Sequence, residues 1–196
     1  MTRVVLATHN RHKVEEVRRI LDGLPVELVS GLDVDLPEVD ETGETFTENA
    51  LLKARACAHV TGLPAVADDS GLEVDALGGD PGVRSARYAG GHGDDDANLR
   101  RVLDELGAAT ARGGRFVCVA ALVTPDGHEI TVTGTMEGAI TAEPRGDGGF
   151  GYDPIFVTVG QQRTNAELSP DEKDAISHRG AAFRALRPHL LELTSR

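Results

Sequence analysis

Two adjacent carboxylates, Asp68 and Asp69, are the residues of this chain whose types and spacing are best suited to chemistry. They follow a short apolar run, 65–67, and precede Ser70 and Gly71. This pattern predicts a buried strand that ends in a turn, in which Gly71 gives the backbone the freedom to change direction. Because side chains alternate along a strand, the turn would let one acid face a ligand while the scaffold holds the other. The alternative is a surface turn with solvated carboxylates.

A second polar segment, 8–13, lies where a buried strand (3–8) is predicted to meet a helix (11–21). Its residues are Thr8, His9, Asn10, Arg11, His12 and Lys13. Free backbone N–H groups and the helix dipole favour an anion at such a junction, and Lys13 adds a positive charge one turn into the helix. The glycine spacing of a phosphate loop is missing, so ordinary helix capping by Thr8 or Asn10 is the alternative.

An acidic stretch, 33–44, leads into a third element. Most of its acids fit a solvated loop, but Asp40 and Glu41 stand just before the capping-box pattern of residues 45–48. That pattern predicts an alanine-rich helix as far as Gly62. Glu48, Asn49 and Lys53 would line a site from one end of this helix, although exposed helix charges are the commoner arrangement.

Two further segments complete the set of candidates. The glycine-rich loop 144–156 contains Phe150, Gly151, Tyr152 and Asp153, which would let an aromatic ring stand over a flat base, or else form an aromatic-anchored turn. Near the C-terminus, Lys173 lies in one predicted helix start, and His178 and Arg179 lie in the next. Together the residues suggest a phosphorylated, flat-ringed ligand with a divalent metal. The cations of the set are Lys13, Lys173 and Arg179, and its acids are Glu41, Asp68 and Asp69.

Composition limits the classes of function. The chain has 196 residues, 40% of them apolar, and a formal charge of −12. We expect a single domain over 1–196 that binds neither nucleic acid nor an anionic membrane, since no run of basic residues offsets the repulsion. The two cysteines lack metal-ligand spacing, and the first apolar run is too short for a signal peptide or a membrane span. A soluble protein of the reducing cytoplasm is therefore expected.

Six segments of the chain resemble the inosine-triphosphatase-like family. They are Thr8-x-Asn10-x-x-Lys13, 41–50 (ETGETFTENA), 67–72 (ADDSGL), 81–88 (PGVRSARY), 148–156 (GGFGYDPIF) and 177–180 (SHRG). The resemblance implies an α/β fold: an elongated, twisted mixed β-sheet flanked by helices, with two lobes and a central substrate cleft. It also implies a homodimer that uses Mg²⁺ to cleave non-standard purine nucleoside triphosphates (ITP, dITP, XTP) to the monophosphate and pyrophosphate, which removes them from the nucleotide pool.

The resemblance also implies a role for each candidate residue. Asp69 would be the general base and a Mg²⁺ ligand, with Glu41 and Asp68 completing the metal shell. The remaining candidates would contact substrate, and His178 and Arg179 would help to distinguish a 6-keto purine from adenine. These contacts are Thr8, His9, Asn10, Arg11, His12, Lys13, Ser70, Phe150, Gly151, Tyr152, Asp153, Lys173, His178 and Arg179. His9 departs from the family pattern, because many relatives have a glycine there.

Two other functions stay open at this stage. One is a nucleotide pyrophosphatase that prefers pyrimidine or modified bases, which a substrate profile would distinguish. The other is a nucleotide-binding module without hydrolytic activity. The Asp68–Asp69 pair and Lys13 argue against the second, because a protein that only binds gains little from a general base beside a metal site.

Overall fold

A six-stranded sheet organises the computed structural model, which describes residues 1–91 and 93–194. The strands are β1 (Thr2–Leu6), β2 (Val26–Ser30), β3 (Ala65–Val74), β4 (Gly113–Val123), β5 (Glu129–Ile140) and β6 (Phe156–Thr158). Their order in the sheet is β2-β1-β3-β4-β5-β6. Strand β1 is parallel to β2 and β3, whereas β5 and β6 are antiparallel. The predicted α/β fold with a mixed sheet is confirmed.

Five α-helices are present in the described residues: α1 (Arg11–Ile20), α2 (Phe46–Thr61), α3 (Asp95–Leu106), α4 (Pro170–Ile176) and α5 (His178–Leu193). Side chains cap four of these helices, at Asn10, Thr45, Asp94 and Ser169. The caps at Thr45 and Ser169 confirm the helix starts predicted there. None of the helices within 1–91 and 93–194 combines the length and the hydropathy that a membrane span requires.

The predicted turn after Asp69 is wrong. Strand β3 continues through Asp68 to Gly71 and ends at Val74. Leu72 and Val74 are completely buried, and β3 is hydrogen-bonded to a strand on each side. Burial and pairing on both sides therefore keep the chain extended through a glycine that local sequence assigns to a turn.

Strand β5 also continues through a glycine. It runs without a break from Glu129 to Ile140 and includes Gly138. A Cβ at Gly138 would lie 2.5 Å from the ring of Phe156. This glycine therefore marks a close approach of a neighbouring side chain and not the end of a strand.

The described residues form two compact units. Unit 1 consists of those in Met1–Asp69, Cys118–Gly134 and Arg179–Arg196, and unit 2 of those in Ser70–Val117 and Thr135–His178. Each has its own apolar core. The core of unit 1 includes Val4, Leu6, Val14, Val17, Val66, Leu122, Phe183, Leu186 and Leu190. The core of unit 2 includes Leu72, Val74, Leu99, Val102, Phe116, Tyr152, Ile155 and Phe156.

Candidate active site

Asp68 is surrounded by positive charge in unit 1. Its Oδ2 lies 3.1 Å from Lys13 Nζ of helix α1, and 3.1 Å and 3.2 Å from Nη2 and Nε of Arg179 in helix α5. The carboxylate has no solvent exposure. Burial raises the pKa of Asp68, but the Lys13 and Arg179 cations lower it further, so that the net pKa is far below its ordinary value. Asp68 is therefore permanently ionised at neutral pH.

Arg179 is held from a second direction by Glu16. Its Nη1 donates to Glu16 Oε2 at 2.5 Å, and only 1% of the residue is exposed. Burial lowers the pKa of the guanidinium, but Asp68 and Glu16 raise it more. Glu16 is not among the candidate residues predicted from the sequence. Its i, i+3 spacing from Lys13, which places both side chains on one face of α1, is the sequence feature that could have identified it.

Asp69 has a different environment in the same unit. Its Oδ2 accepts a hydrogen bond from Asn49 Nδ2 at 3.2 Å, and its Oδ1 lies 3.4 Å from Lys53 Nζ. Both partners belong to helix α2. Burial raises the pKa of Asp69, the Lys53 and Lys13 cations lower it and the Glu41 carboxylate raises it, and the net shift is upward.

The two acids thus differ because a strand alternates its side chains. Asp68 contacts helices α1 and α5, and Asp69, one residue later in β3, contacts α2. One carboxylate is an ionised anchor for two cations. The other has an environment that favours its uptake of a proton, which is the property required of a general base.

Asn49 is buried and Lys53 is half-buried, so neither is an exposed side chain of the helix surface. Asn49 has no solvent exposure, and the Lys53 side chain is 13% exposed. Lys53 Nζ also lies 2.5 Å from Glu41 Oε1, so its ammonium lies between two carboxylates. The i, i+4 spacing of Asn49 and Lys53 indicates in the sequence that both side chains lie on one face of the helix.

The segment before α1 forms an ordinary helix cap. Asn10 Oδ1 accepts from the backbone N–H of Lys13 at 3.2 Å, and Thr8 Oγ1 accepts from that of Asn10 at 3.1 Å. The His9 ring rests against Gly31, where an added Cβ would lie 2.5 Å from its Cδ2. Arg11 and His12 are exposed in the first turn of α1. The capping alternative is therefore realised, and the phosphate-binding role of this segment stays a prediction.

Unit 2 contains a separate buried ion pair between Lys173 and Asp153, which are 4% and 2% exposed. Asp153 Oδ2 also accepts from the backbone N–H of Phe150 at 3.0 Å. Lys173 Nζ lies 4.8 Å from the centroid of the half-buried Phe150 ring. This arrangement fixes the position of that ring, which has the exposure that a base platform requires.

The other predicted substrate contacts of unit 2 have varied surroundings. Tyr152 is buried in the core, and its hydroxyl donates to the Ser85 carbonyl at 2.7 Å. His178 is 4% exposed and stacks on Phe116, with ring centroids 4.8 Å apart. Gly151 and Ser70 are partly exposed. Of the two candidate platform rings, Phe150 is thus the accessible one.

Glu41 and Asp69 are the carboxylates of this site that suit a Mg²⁺ ion. Within the described residues, no three His, Cys, Asp or Glu side chains converge on one point. Mg²⁺ commonly takes only one or two protein carboxylates and completes its shell with water and phosphate oxygens. Glu41 and Asp69 already converge on one cation, the Lys53 ammonium, so their oxygens suit such an ion.

The mixed sheet, the capped helix with its lysine and the paired carboxylates fit the class of α/β proteins that act on phosphorylated ligands. The model of the Ham1 family matches residues 4–189. The chain belongs to the Ham1 family, which confirms the resemblance found in its motifs.

Individual relatives match along their full lengths. The chain is 57% identical to the dITP/XTP pyrophosphatase of Streptomyces coelicolor, covering 98% of this chain and 99% of the relative. It is 51% identical to that of Geobacter sulfurreducens, with 97% of each covered. The structure of a HAM1 protein from Coxiella burnetii matches with a TM-score of 0.88 and 46% identity, covering 98% of this chain and 100% of that one.

Proposed function

We propose that this protein hydrolyses non-standard purine nucleoside triphosphates (ITP, dITP and XTP) to the monophosphate and pyrophosphate, and so removes them from the pools used for DNA and RNA synthesis. The observation that carries the proposal is the contrast in the contacts of two adjacent carboxylates. Asp68 binds Lys13 and Arg179, whereas Asp69 faces Asn49 and Lys53 of helix α2. The named activity of full-length relatives supports the substrate class.

In the proposed mechanism Asp69 accepts a proton from the attacking water. As the new P–O bond forms, the bond to the leaving pyrophosphate breaks, and Lys13 stabilises the negative charge on the phosphate oxygens. Asp68 positions Lys13 through their 3.1 Å ion pair. Bound Mg²⁺ would polarise the phosphate oxygens and lower the pKa of water. Glu41 and Asp69 would hold it, since Asp68 is already engaged by two cations.

The purine-recognition residues predicted from the family resemblance belong to this proposal as well. Phe150 would stack on the base, with its ring held by Lys173 and Asp153. His178 and Arg179 remain the residues predicted to help distinguish a 6-keto purine from adenine. Because Arg179 is buried between two carboxylates, we expect it to act through Asp68 more than by direct contact.

The decisive experiment measures pyrophosphate release from ITP, dITP, XTP, ATP and GTP, with and without Mg²⁺. Wild type is compared with Asp69→Asn and with Asp104→Asn, the same chemical change at an exposed position of α3. We expect metal-dependent turnover of the first three substrates, lost in Asp69→Asn and kept in Asp104→Asn. Tight ITP binding without turnover would favour the binding module, and a preference for pyrimidine substrates would favour the other alternative.

Two predictions complete the proposal: homodimer formation, which the family resemblance implies, and a cytoplasmic location, which the composition predicts. Light scattering during size-exclusion chromatography tests the first, with a mass near twice the 20.7 kDa of one chain as the expected result. Fractionation of the source cells tests the second. A monomeric mass, or recovery of the protein in the membrane fraction, would contradict these parts.

A further inference from the structure

Lys53 is a half-buried cation that the proposed mechanism does not use. Its ammonium lies 2.5 Å from Glu41 Oε1 and 3.4 Å from Asp69 Oδ1, on a side chain that is 13% exposed. Burial lowers the pKa of Lys53, but the charges of Asp69, Glu41 and Asp68 raise it more, so the amine is protonated. The Lys53 ammonium therefore lies between two carboxylates.

Glu41 and Asp69 require a cation between them. Without Lys53, Glu41 and Asp69 would repel each other in a poorly hydrated environment, which is unfavourable unless another cation lies between them. The proposed function assigns the same two carboxylates to Mg²⁺. An ammonium and a magnesium ion then compete for one pair of oxygens.

We propose that the Lys53 ammonium substitutes for the divalent cation between Glu41 and Asp69 in the metal-free protein and leaves that position when the metal binds. The inference rests on the proposed function for the identity of the metal site. Lysine suits the exchange, because its charge sits on a flexible four-carbon chain with rotatable donors. The displaced ammonium needs a new anion, and the phosphates of the substrate supply one.

Two consequences follow from this exchange. The protein without nucleotide should bind divalent metal weakly, because the metal must displace an ion pair that is already formed. Metal and substrate should strengthen each other's binding. The metal releases the Lys53 ammonium to bind the phosphates, and the phosphates provide the anion that the displaced ammonium needs. A purely structural role for Lys53 predicts neither effect, only a loss of stability when the ion pair is broken.

The test is a titration of the nucleotide-free protein with Mn²⁺, followed by the electron paramagnetic resonance signal of free Mn²⁺. The variants are Lys53→Met, which keeps the apolar stem without the charge, and Lys53→Arg, which keeps the charge. We expect Lys53→Met to bind Mn²⁺ about tenfold more tightly than wild type, because two carboxylates lose their internal cation. Lys53→Arg should bind as weakly as wild type.

A double variant, Lys53→Met with Asp69→Asn, tests whether the tighter Mn²⁺ binding depends on Asp69. We expect it to lose the gain in Mn²⁺ affinity of Lys53→Met. Circular dichroism checks the fold, and Lys53→Gln replaces Lys53→Met if the latter does not fold. Mn²⁺ affinity that is unchanged or lower in the folded neutral variant would overturn the inference. A gain that survives in the double variant would overturn it too.

The outcomes separate this inference from the proposed function. If wild type turns over ITP but neutral Lys53 variants gain no Mn²⁺ affinity, the function stands and the exchange fails. If the affinity gain occurs and depends on Asp69 while no triphosphate is hydrolysed, the exchange stands and the function fails.

Discussion

The guanidinium of Arg179 and the carboxylate of Asp68 form an ion pair in which Nε and Nη2 lie 3.2 Å and 3.1 Å from the same oxygen. The two side chains are 2% and 0% exposed. Glu16 binds the other end of the guanidinium, and Lys13 binds the same Asp68 oxygen. The four residues form a network of two acids and two bases in which each charge is compensated. Arg179 thus fixes Asp68, and Asp68 fixes Lys13.

The first prediction concerns the stability of this network. Arg179→Met leaves two buried carboxylates short of a partner and should lower the free energy of unfolding by about 3–5 kcal/mol. The matched control is Arg3→Met, since Arg3 forms an exposed pair with Glu27 and should cost at most about 1 kcal/mol. Urea unfolding of both variants gives the comparison. Equal losses would mean that the buried network adds nothing beyond a surface ion pair.

The second prediction separates stability from activity at Asp69. A carboxyl whose pKa is higher in the folded than in the unfolded chain costs stability above both pKa values and costs nothing below them. The pKa of Asp69 is raised. In chelator at pH 7, Asp69→Asn should therefore unfold with a free energy equal to that of wild type or higher, by up to about 1 kcal/mol, with any advantage fading as the pH falls toward 4.

Asp68→Asn is the control, with the opposite sign. The pKa of the Asp68 carboxyl is lowered in the folded chain. The ionised carboxylate therefore stabilises the protein above the pKa of the unfolded chain, near 3.8, and this stabilisation is lost as the pH falls through the pKa of the folded chain. Asp68→Asn should therefore be clearly less stable than wild type at pH 7. Greater stability for Asp68→Asn than for Asp69→Asn would refute the assignment of their two environments.

The third prediction concerns the glycines of the loop that carries Phe150. Gly149 and Gly151 have φ of +69° and +62°, so alanine at either should cost about 1–2 kcal/mol in backbone strain. At Gly149 a Cβ would also overlap the Asp153 carboxylate, whereas at Gly151 it would meet nothing within 4 Å. Gly149→Ala should therefore cost at least about 1 kcal/mol more. Thermal unfolding of both variants measures the difference, which would vanish if Asp153 were free to move.

The fourth prediction tests the position of His9. An alanine Cβ at Gly31 would lie 2.5–2.9 Å from three atoms of the His9 ring. Because the imidazole is exposed and can rotate away, Gly31→Ala should cost less than about 1 kcal/mol and yet displace the ring. The His9 ring resonances in the NMR spectrum should shift, while those of His128 should not. Unchanged His9 resonances would show that the ring does not rest on Gly31.

Local sequence determined where several helices of this protein begin and which family the chain belongs to. The helix starts at Thr45 and Ser169 follow from capping residues whose hydrogen bonds involve only neighbours in the chain, and the structure contains both caps. The family motifs identified the Ham1 family and its α/β fold. These inferences succeed because capping, periodicity and motif spacing are properties of short segments.

Only the tertiary structure decided how the candidate charges pair. It extended β3 through Asp68 and Asp69, because the adjacent strands and the buried Leu72 outweigh the local preference of Gly71 for a turn. It also brought Glu16 to Arg179, 163 residues away along the chain, and Lys53 between Glu41 and Asp69. Burial and charge pairing depend on segments that are distant in sequence, so no local pattern distinguishes a buried lysine from a solvated one.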